Sequence, residues 1–301
     1  MGWRQVAYVG ANTDGLLPVQ VANAVRAEYV AKAQADGSDV LVPFIDMAWQ
    51  RLSWPEVVPH LASIIEDFHC LGASWSKLDL LYRERGNLGT GVGVLAGTEL
   101  DYLFVLTRSI FDLLQEMIAT VWNGRVRLVD EKAKARHASR KLPKVFSKVV
   151  LNGEKARTAA AIEAEYNLPS SMAAIYEHYT PFFRSVRSFR DRVVHGIGIR
   201  EIIFVTERGF CVNHSAKAFS GFDVWNGSSK YNHNLSSLLA LVAEVVIQTI
   251  DCCNLMLGSF MKQIQMPPEI APNYHVFTRG YHTSALIQAL EISRGANPWP
   301  A

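Results

Sequence analysis

The chain has 301 residues, of which 49% are hydrophobic and 19% are charged, and its formal net charge is +2. This composition excludes an intrinsically disordered protein, because it supplies enough apolar surface to bury a sizeable core. The length allows one large domain or two modest ones. A net charge this small does not by itself indicate binding to nucleic acid.

The basic residues are concentrated in one segment. Residues 125–157 contain eleven Lys and Arg against three Asp and Glu, a net charge of +8, which leaves −6 for the rest of the chain. A basic segment on a mildly acidic body suits contacts with phosphate groups. A solvated helix face followed by a loop is an equally good interpretation of the same residues.

The cysteines and the apolar stretches bear on cofactors and on compartment. The four cysteines are Cys70, Cys211, Cys252 and Cys253. They form neither a CxxC pair nor a Cys/His ligand set, so we expect no metal, no cofactor and no disulfide framework. Residues 235–260 are the most apolar stretch, but Glu244, Gln248 and Asp251 interrupt it, which indicates a buried helix rather than a membrane span. With no apolar signal peptide at the start, the sequence predicts a soluble, cytoplasmic protein without membrane contact.

The first fifty residues have the least regular pattern. Short β-like apolar runs at residues 5–9 and 39–45 flank an alanine-rich stretch at residues 19–35. The apolar spacing within that stretch predicts a helix. Turn signals precede and follow it, as expected of a short element between two strands.

A long helix is predicted from residue 55 onward. Pro55 suits a first helical turn, and apolar residues then recur every three or four positions. The glycine-rich residues 86–98 contain no Gly-Lys-Ser/Thr and lack the GxGxxG order. They therefore predict a flexible approach to the next helix rather than a phosphate-binding loop.

The second long helix is predicted to begin at an acidic variant of the capping box, Thr98-x-x-Asp101. It is predicted to end at residues 123–124, where an Asn-Gly pair stands. Arg108 and Asp112 are i,i+4 neighbours on one stripe of this helix and can form an ion pair.

A third helix is predicted to begin at Pro169, with apolar residues at helical spacing along one face. Pro181 lies inside the pattern, so we expect a kink or a break near Thr180. A separate polar stripe with spacings of four, three and four residues contains Arg184, Ser188, Asp191 and His195.

After this helix the period changes to that of strands. Residues 199–206 and 210–213 flank a turn at residues 207–209, which predicts a β-hairpin. Residues 235–264 predict a long apolar helix, and residues 283–292 predict a short one.

The chain shows no internal repeat and no low-complexity linker. We therefore expect one helical domain at residues 55–265. Residues 1–54 would form an N-terminal extension packed on it, and residues 266–301 a C-terminal extension.

The most specific pattern is Arg190-Asp191-x-x-x-His195-Gly196, at the end of the third helix. Residues five positions apart point about 140° away from each other on a helix, so Arg190 and His195 meet only near a helix end. Gly196 can provide that end by adopting the left-handed conformation. Asp191 is the i,i+4 partner of His195 and can orient its imidazole, while the helix C-terminus favours imidazolium.

These residue types suit the cleavage of RNA. A histidine that titrates near neutrality can move protons between the ribose 2′-OH, the phosphate and the leaving 5′-oxygen. A guanidinium can hold the scissile phosphate and stabilise the charge that develops on it. With the 2′-OH as an internal nucleophile, this reaction requires no metal ion.

The motif resembles the R-x4-6-H signature of HEPN domains, in which the form R-[N/D]-x3-H is common. The resemblance covers roughly residues 55–265, although only the motif is specific. It implies a mainly α fold, a HEPN-like helical bundle with a small β-hairpin after the motif helix. It also implies a metal-independent endoribonuclease that dimerises, so that Arg190, Asp191 and His195 of both protomers line one composite active site.

Other charged residues are candidates for binding the RNA. Those on the motif helix, on the preceding long helix and in the basic segment are Arg187, Arg192, Arg108, Asp112, Arg140, Lys141 and Lys144. A second Arg-x4-6-His pair, Arg208 and His214, falls in the predicted hairpin and lacks the helical context.

Two classes of function follow from the resemblance. The first is an endoribonuclease that acts as a toxin or a phage-defence effector, with an antitoxin or regulatory partner. The second is a non-catalytic HEPN-like helical module that binds a nucleotide, RNA or a protein partner. Independently of the resemblance, the apolar helix from Leu235 and the seven tryptophans leave open an unrelated helical interaction protein. The motif itself can also be purely structural, with Arg190 and Asp191 as a surface ion pair and His195 as a helix cap.

Overall fold

The computed structural model describes residues 6–11, 15–20, 26–124, 141–195 and 203–300, with only the backbone before residue 26 and at residues 193–195. The fold is mainly helical, as the sequence predicts. The helices of the described part are α1 (Pro43–Arg51), α2 (Val58–Arg83), α3 (Arg85–Leu88), α4 (Val92–Gly124), α5 (Phe146–Val150), α6 (Ala159–Tyr166), α7 (Ser170–His195), α8 (Leu238–Met261) and α9 (Thr283–Ser293). A 3-10 turn, Gly89–Gly91, joins α3 to α4.

The described strands form small antiparallel sheets at the margins of the helices. They are β1 (Val6–Ala11), β2 (Gly15–Gln20), β3 (Arg26–Ala31), β4 (Leu151–Asn152), β5 (Lys155–Ala156), β6 (Phe204–Val205), β7 (Phe210–Asn213), β8 (Leu235–Ser237) and β9 (His275–Gly280). β1 pairs with β2, β3 with β9 and β4 with β5, while β6, β7 and β8 form a three-stranded sheet. The hairpin expected after the motif helix is thus present as β6 and β7.

Helix α8 lies at the centre of the helical core and contacts α1, α2, α4, α7 and α9. By length and composition it could cross a membrane, but 61% of its most apolar 18-residue window is buried inside the protein. This burial identifies it as a core helix and is consistent with a soluble protein. Burial of each Leu, Val or Phe side chain of such a helix contributes about 1.5–3 kcal/mol to the free energy of unfolding.

The N-terminal and C-terminal parts of the chain pair with each other through β3 and β9. Asp39 follows β3 and is buried, and its carboxylate accepts a hydrogen bond from Arg279 Nη2 at 2.7 Å. Tyr29 donates to the same carboxylate. The Arg279 guanidinium holds the pKa of Asp39 well below its usual range. This ion pair ties β9 to the loop that follows β3.

The helix predicted at residues 19–35 is wrong, since β2 ends at Gln20 and β3 occupies Arg26–Ala31. Long-range pairing with β9 overrides the local helical preference of the alanines. The strand predicted at residues 39–45 is also wrong, because α1 begins at Pro43 and only Val40 forms a bridge, with Thr278.

The start of the second long helix was also predicted wrongly. Helix α4 begins at Val92, so Thr98 lies inside it and its hydroxyl donates to the Val94 carbonyl at 3.0 Å. Of the glycines before Thr98, Gly93 permits close packing. A Cβ on Gly93 would lie 2.9 Å from the backbone oxygen of Ile203.

Helix α7 runs through Pro181 without the expected break. Helix α2 starts about one turn later than predicted, so that Pro59 rather than Pro55 lies in its first turn. The predicted helix near residues 283–292 is confirmed. Helix α4 reaches Gly124, the last described residue before the gap at 125–140, so its predicted end lies at the limit of the described residues. The long apolar helix is confirmed too, although its first three residues form β8 instead.

A polar cluster with two buried histidines joins β3, α2 and the segment before α9. His69 Nε2 lies 2.9 Å from the Glu28 carboxylate, and His69 Nδ1 lies 2.5 Å from His282 Nε2. An ionised carboxylate only accepts, so His69 Nε2 donates to Glu28, and a further hydrogen bond joins His69 Nδ1 and His282 Nε2. His282 Nδ1 is buried and has no hydrogen-bond partner among the described residues. Burial and the neighbouring His69 lower the pKa of His282 to about 3.

This cluster predicts that the protein loses stability in mild acid. The folded pKa of His282 lies below the value of about 6.5 expected for the unfolded chain, so unfolding takes up a proton between these pH values. We expect the free energy of unfolding to fall as the pH drops below about 6.5, and to fall less steeply in His282→Gln. Urea unfolding at a series of pH values measures both slopes. The exposed His233 is the control, and His233→Gln should keep the wild-type slope; equal slopes in wild type and His282→Gln would contradict the interpretation.

Candidate active-site cleft

The apolar face of α7 determines which of its residues point to solvent. Phe189 stacks on Phe104 of α4 with ring centroids 3.9 Å apart, and Phe183 packs against Phe111 at 5.5 Å. These rings are buried or nearly so. The polar stripe predicted for α7 therefore faces away from the core, as expected for an amphipathic helix.

A cleft of about 710 Å³ opens along this stripe. Its walls are α7, the turn between β4 and β5, and the loop at residues 217–221. The residues that line it are Leu151, Glu154, Pro181, Arg184, Ser185, Arg187, Ser188, Asp191, Arg192, Lys217, Ala218, Ser220 and Gly221. The predicted stripe is confirmed for Arg184, Ser188 and Asp191.

The loop at residues 217–221 is tied directly to α7. Ser185 Oγ donates to the Gly221 carbonyl at 3.0 Å, and Arg192 Nη2 donates to the Ala218 carbonyl at 2.9 Å. Phe219 is buried beside Phe189, with ring centroids 5.8 Å apart. No local pattern of residues predicts that this loop lies next to α7, although Phe219 and Gly221 are the residues that permit the contact.

Asp191 lies between two arginines of its own helix. Arg190 Nη1 donates to Asp191 Oδ1 at 3.0 Å, and Arg187 Nε lies 3.4 Å from Asp191 Oδ2. Arg187 also approaches Glu154 of the opposite wall, at 3.5 Å. Arg190 itself is not among the lining residues and stands at the edge of the cleft, held by Asp191.

His195 is the last described residue of α7, and only its backbone belongs to the described part of the chain. Its backbone position continues the stripe one turn beyond Asp191, so the i,i+4 relation used in the prediction is retained. Arg192 is engaged on the cleft wall, where its Nε also donates to the Ser188 carbonyl at 3.2 Å.

The predicted residues of α4 do not reach the cleft. Arg108 Nη1 and Asp112 Oδ1 are 2.6 Å apart, without the alignment of a hydrogen bond, and the guanidinium of Arg108 lies over the ring of Phe183 at 4.6 Å. The pair thus lies at the contact between α4 and α7, where it contributes to the packing of the two helices.

The predicted residues of the basic segment also lie elsewhere. Lys144 pairs with Glu116 of α4 at 3.0 Å, and Lys141 is exposed. Asn123 anchors the chain beside them through Leu142, since its side chain both donates to and accepts from that backbone. Arg140 lies outside the described residues, and neither described lysine lines the cleft.

No protein family model, no curated protein and no solved structure matches this chain. Within the described ranges, no three His, Cys, Asp or Glu side chains are grouped as ligands for a metal ion. The chemistry of the cleft must therefore be inferred from its own residues. The charged ones are four bases, Arg184, Arg187, Arg192 and Lys217, and two acids, Glu154 and Asp191, so the lining is positive at neutral pH.

The close contact of the loop with α7 predicts that Gly221→Ala destabilises the protein. A Cβ on Gly221 would lie 2.2 Å from Ser185 Oγ and 3.0 Å from Ser185 Cβ, so the loop must move away from the helix. We expect a loss of about 1–3 kcal/mol in the free energy of unfolding, measured with urea. The control is Gly227→Ala, since a Cβ there has no atom within 4 Å; equal stability of both variants would show that the loop contact is dispensable.

Proposed function

We propose that the protein is a HEPN-type endoribonuclease that cleaves RNA in the cleft along α7, with the ribose 2′-OH as the nucleophile. The observation that carries this proposal is the polar stripe of the motif helix, which lines a positively charged cleft and continues to His195. An RNA backbone is the polyanion that such a surface favours. The bundle of α2, α4, α7 and α8 with the following hairpin agrees with the helical bundle that the resemblance implies.

Each motif residue has a role in this proposal. His195 moves the protons between the 2′-OH, the phosphate and the leaving 5′-oxygen, as a general base and acid. Asp191 orients its imidazole from one turn earlier in the helix. Arg190 stabilises the charge that develops on the phosphate. The Arg190–Asp191 pair is 37% exposed on both sides, so an incoming phosphate can compete for the guanidinium.

The proposal also includes a dimeric state and a biological role. A homodimer would bring the C-terminal ends of two α7 helices to one composite site. Such an enzyme would act on cytoplasmic RNA as a toxin or a phage-defence effector, and an antitoxin or regulatory partner would restrain it. Expression of wild-type protein would then slow growth of the host cell, and His195→Ala would not.

A second candidate is the non-catalytic HEPN-like module that binds RNA, a nucleotide or a protein partner. The observation that favours it is the position of Arg190, which is bonded to Asp191 at the edge of the cleft rather than lining it. The remaining cations of the lining suffice to bind an anion without any chemical step. Cleavage activity distinguishes the two candidates.

The test is cleavage of total cellular RNA in EDTA by purified wild-type, Arg190→Ala and His195→Ala proteins. We expect wild type alone to cleave, leaving 2′,3′-cyclic phosphate ends, and each variant to lose at least about 100-fold in rate. The control is His178→Ala, which removes an exposed histidine of the same helix outside the cleft lining and should leave the rate unchanged.

The other outcomes of this assay are equally informative. Equal cleavage by all proteins would mean a contaminant or a different site and would contradict the proposed roles. Absence of cleavage by every protein, with retained RNA binding, would favour the non-catalytic module. A His195→Ala protein that still slows growth would argue against the catalytic proposal.

A further inference from the structure

Two cations of the cleft have no hydrogen-bond or ion-pair partner in the part of the chain that the structure describes. They are Arg184 on α7 and Lys217 in the opposite loop, and both are exposed. The other two cations are engaged, because Arg187 contacts carboxylates and Arg192 donates to backbone carbonyls. The cleft therefore presents two uncompensated positive charges from opposite walls.

The walls that carry these two cations are held together next to them. Ser185 follows Arg184, and its hydroxyl donates to the Gly221 carbonyl of the loop that contains Lys217. The backbone positions of the two cations are thus fixed relative to each other. Two cations that reach one cleft from two elements match a phosphate group, which accepts charge-assisted hydrogen bonds from several sides.

Arg184 is distant from the motif end of the helix. It precedes Asp191 by seven residues and His195 by eleven, which corresponds to about 10 Å and about 16 Å along the helix axis. A phosphate between Arg184 and Lys217 would therefore differ from the one that reacts at His195. Ser188 lies on the same stripe between these two positions and offers a hydroxyl to the intervening sugar or phosphate.

The cleft offers no ring for base stacking among its described lining residues. Phe183, Phe189 and Phe219 of the same elements are buried in the core instead. Proteins that recognise bases of single-stranded RNA stack them on aromatic side chains. Arg, Lys and Ser side chains contact phosphate and sugar, and such contacts carry no sequence information.

The size of the cleft restricts the form of the RNA. Its volume of about 710 Å³ falls in the range of about 300–1,000 Å³ that is typical of small-molecule pockets. Such a space can enclose a short length of single strand but cannot enclose a duplex.

From these observations we infer that the cleft holds single-stranded RNA by its sugar-phosphate backbone, without base preference, and that Arg184 and Lys217 together bind a phosphate beside the scissile one. This inference rests on the proposed function, since it assigns a second contact point within the same site. It adds Arg184 and Lys217, which the motif does not contain, to the residues that bind the substrate.

The test measures binding separately from cleavage. A fluorescent 2′-O-methyl oligonucleotide lacks the nucleophile, so its dissociation constant can be measured by anisotropy at several salt concentrations. We expect Arg184→Gln and Lys217→Gln each to weaken binding about tenfold and to reduce the salt dependence by about 0.7 in log–log slope. Uridine and cytidine oligonucleotides should bind within about threefold of each other.

The matched control is Lys262→Gln, which removes an exposed lysine at the end of α8 and should bind like wild type. Thermal melting followed by circular dichroism shows that the variants are folded. Wild-type affinity in both cleft variants, a strong preference for one base, tighter binding of a duplex, or absence of any binding would each overturn the inference.

Cleavage of the matching unmodified RNA separates this inference from the proposed function. If wild type cleaves the RNA while both cleft variants bind like wild type, the nuclease stands and the phosphate contact is wrong. If binding depends on Arg184 and Lys217 but no RNA is cleaved, the phosphate contact stands and the nuclease is wrong.

Discussion

The packing of α7 against α4 is the constraint on which the candidate site depends. The stacked rings of Phe104 and Phe189, 3.9 Å apart, fix the rotation of α7 about its axis. Successive residues point about 100° apart around a helix. If α7 were rotated by this angle, a different set of residues would face the cleft. The aromatic core thus decides that Arg184, Ser188 and Asp191 face the cleft, although none of the rings touches it.

The charge of the cleft comes mainly from arginines that lie close together on α7. Arg187 and Arg190 lie on either side of Asp191, and Glu154 from the β4–β5 turn provides a second carboxylate. These pairs are partly exposed, so each contributes about 0–1 kcal/mol and can exchange partners. The excess positive charge remains at Arg184 and Lys217, where a bound anion would complete the pairing.

The pairing of the two chain ends is a separate feature, built around β3 and β9. Glu28 of β3 contacts His69 of α2, while Arg279 of β9 pairs with Asp39 in the loop after β3. Asp39, His69 and His282 are buried, which makes this region more sensitive to protonation than the partly exposed ion pairs of the cleft.

Local patterns in the sequence determined the long helices, the polar stripe of α7 and the Arg108–Asp112 pair, because these depend on spacings of three and four residues along one helix. Local patterns failed where a distant partner decided the outcome, since β3 forms a strand because β9 pairs with it. The glycine-rich run before Thr98 predicted flexibility, but α4 includes Gly93, which admits the backbone of Ile203. The same holds for the site. The motif helix was predicted, but only the tertiary structure placed Lys217 opposite Arg184 and left Arg190 at the edge, since side chains on different elements meet through packing rather than through sequence spacing.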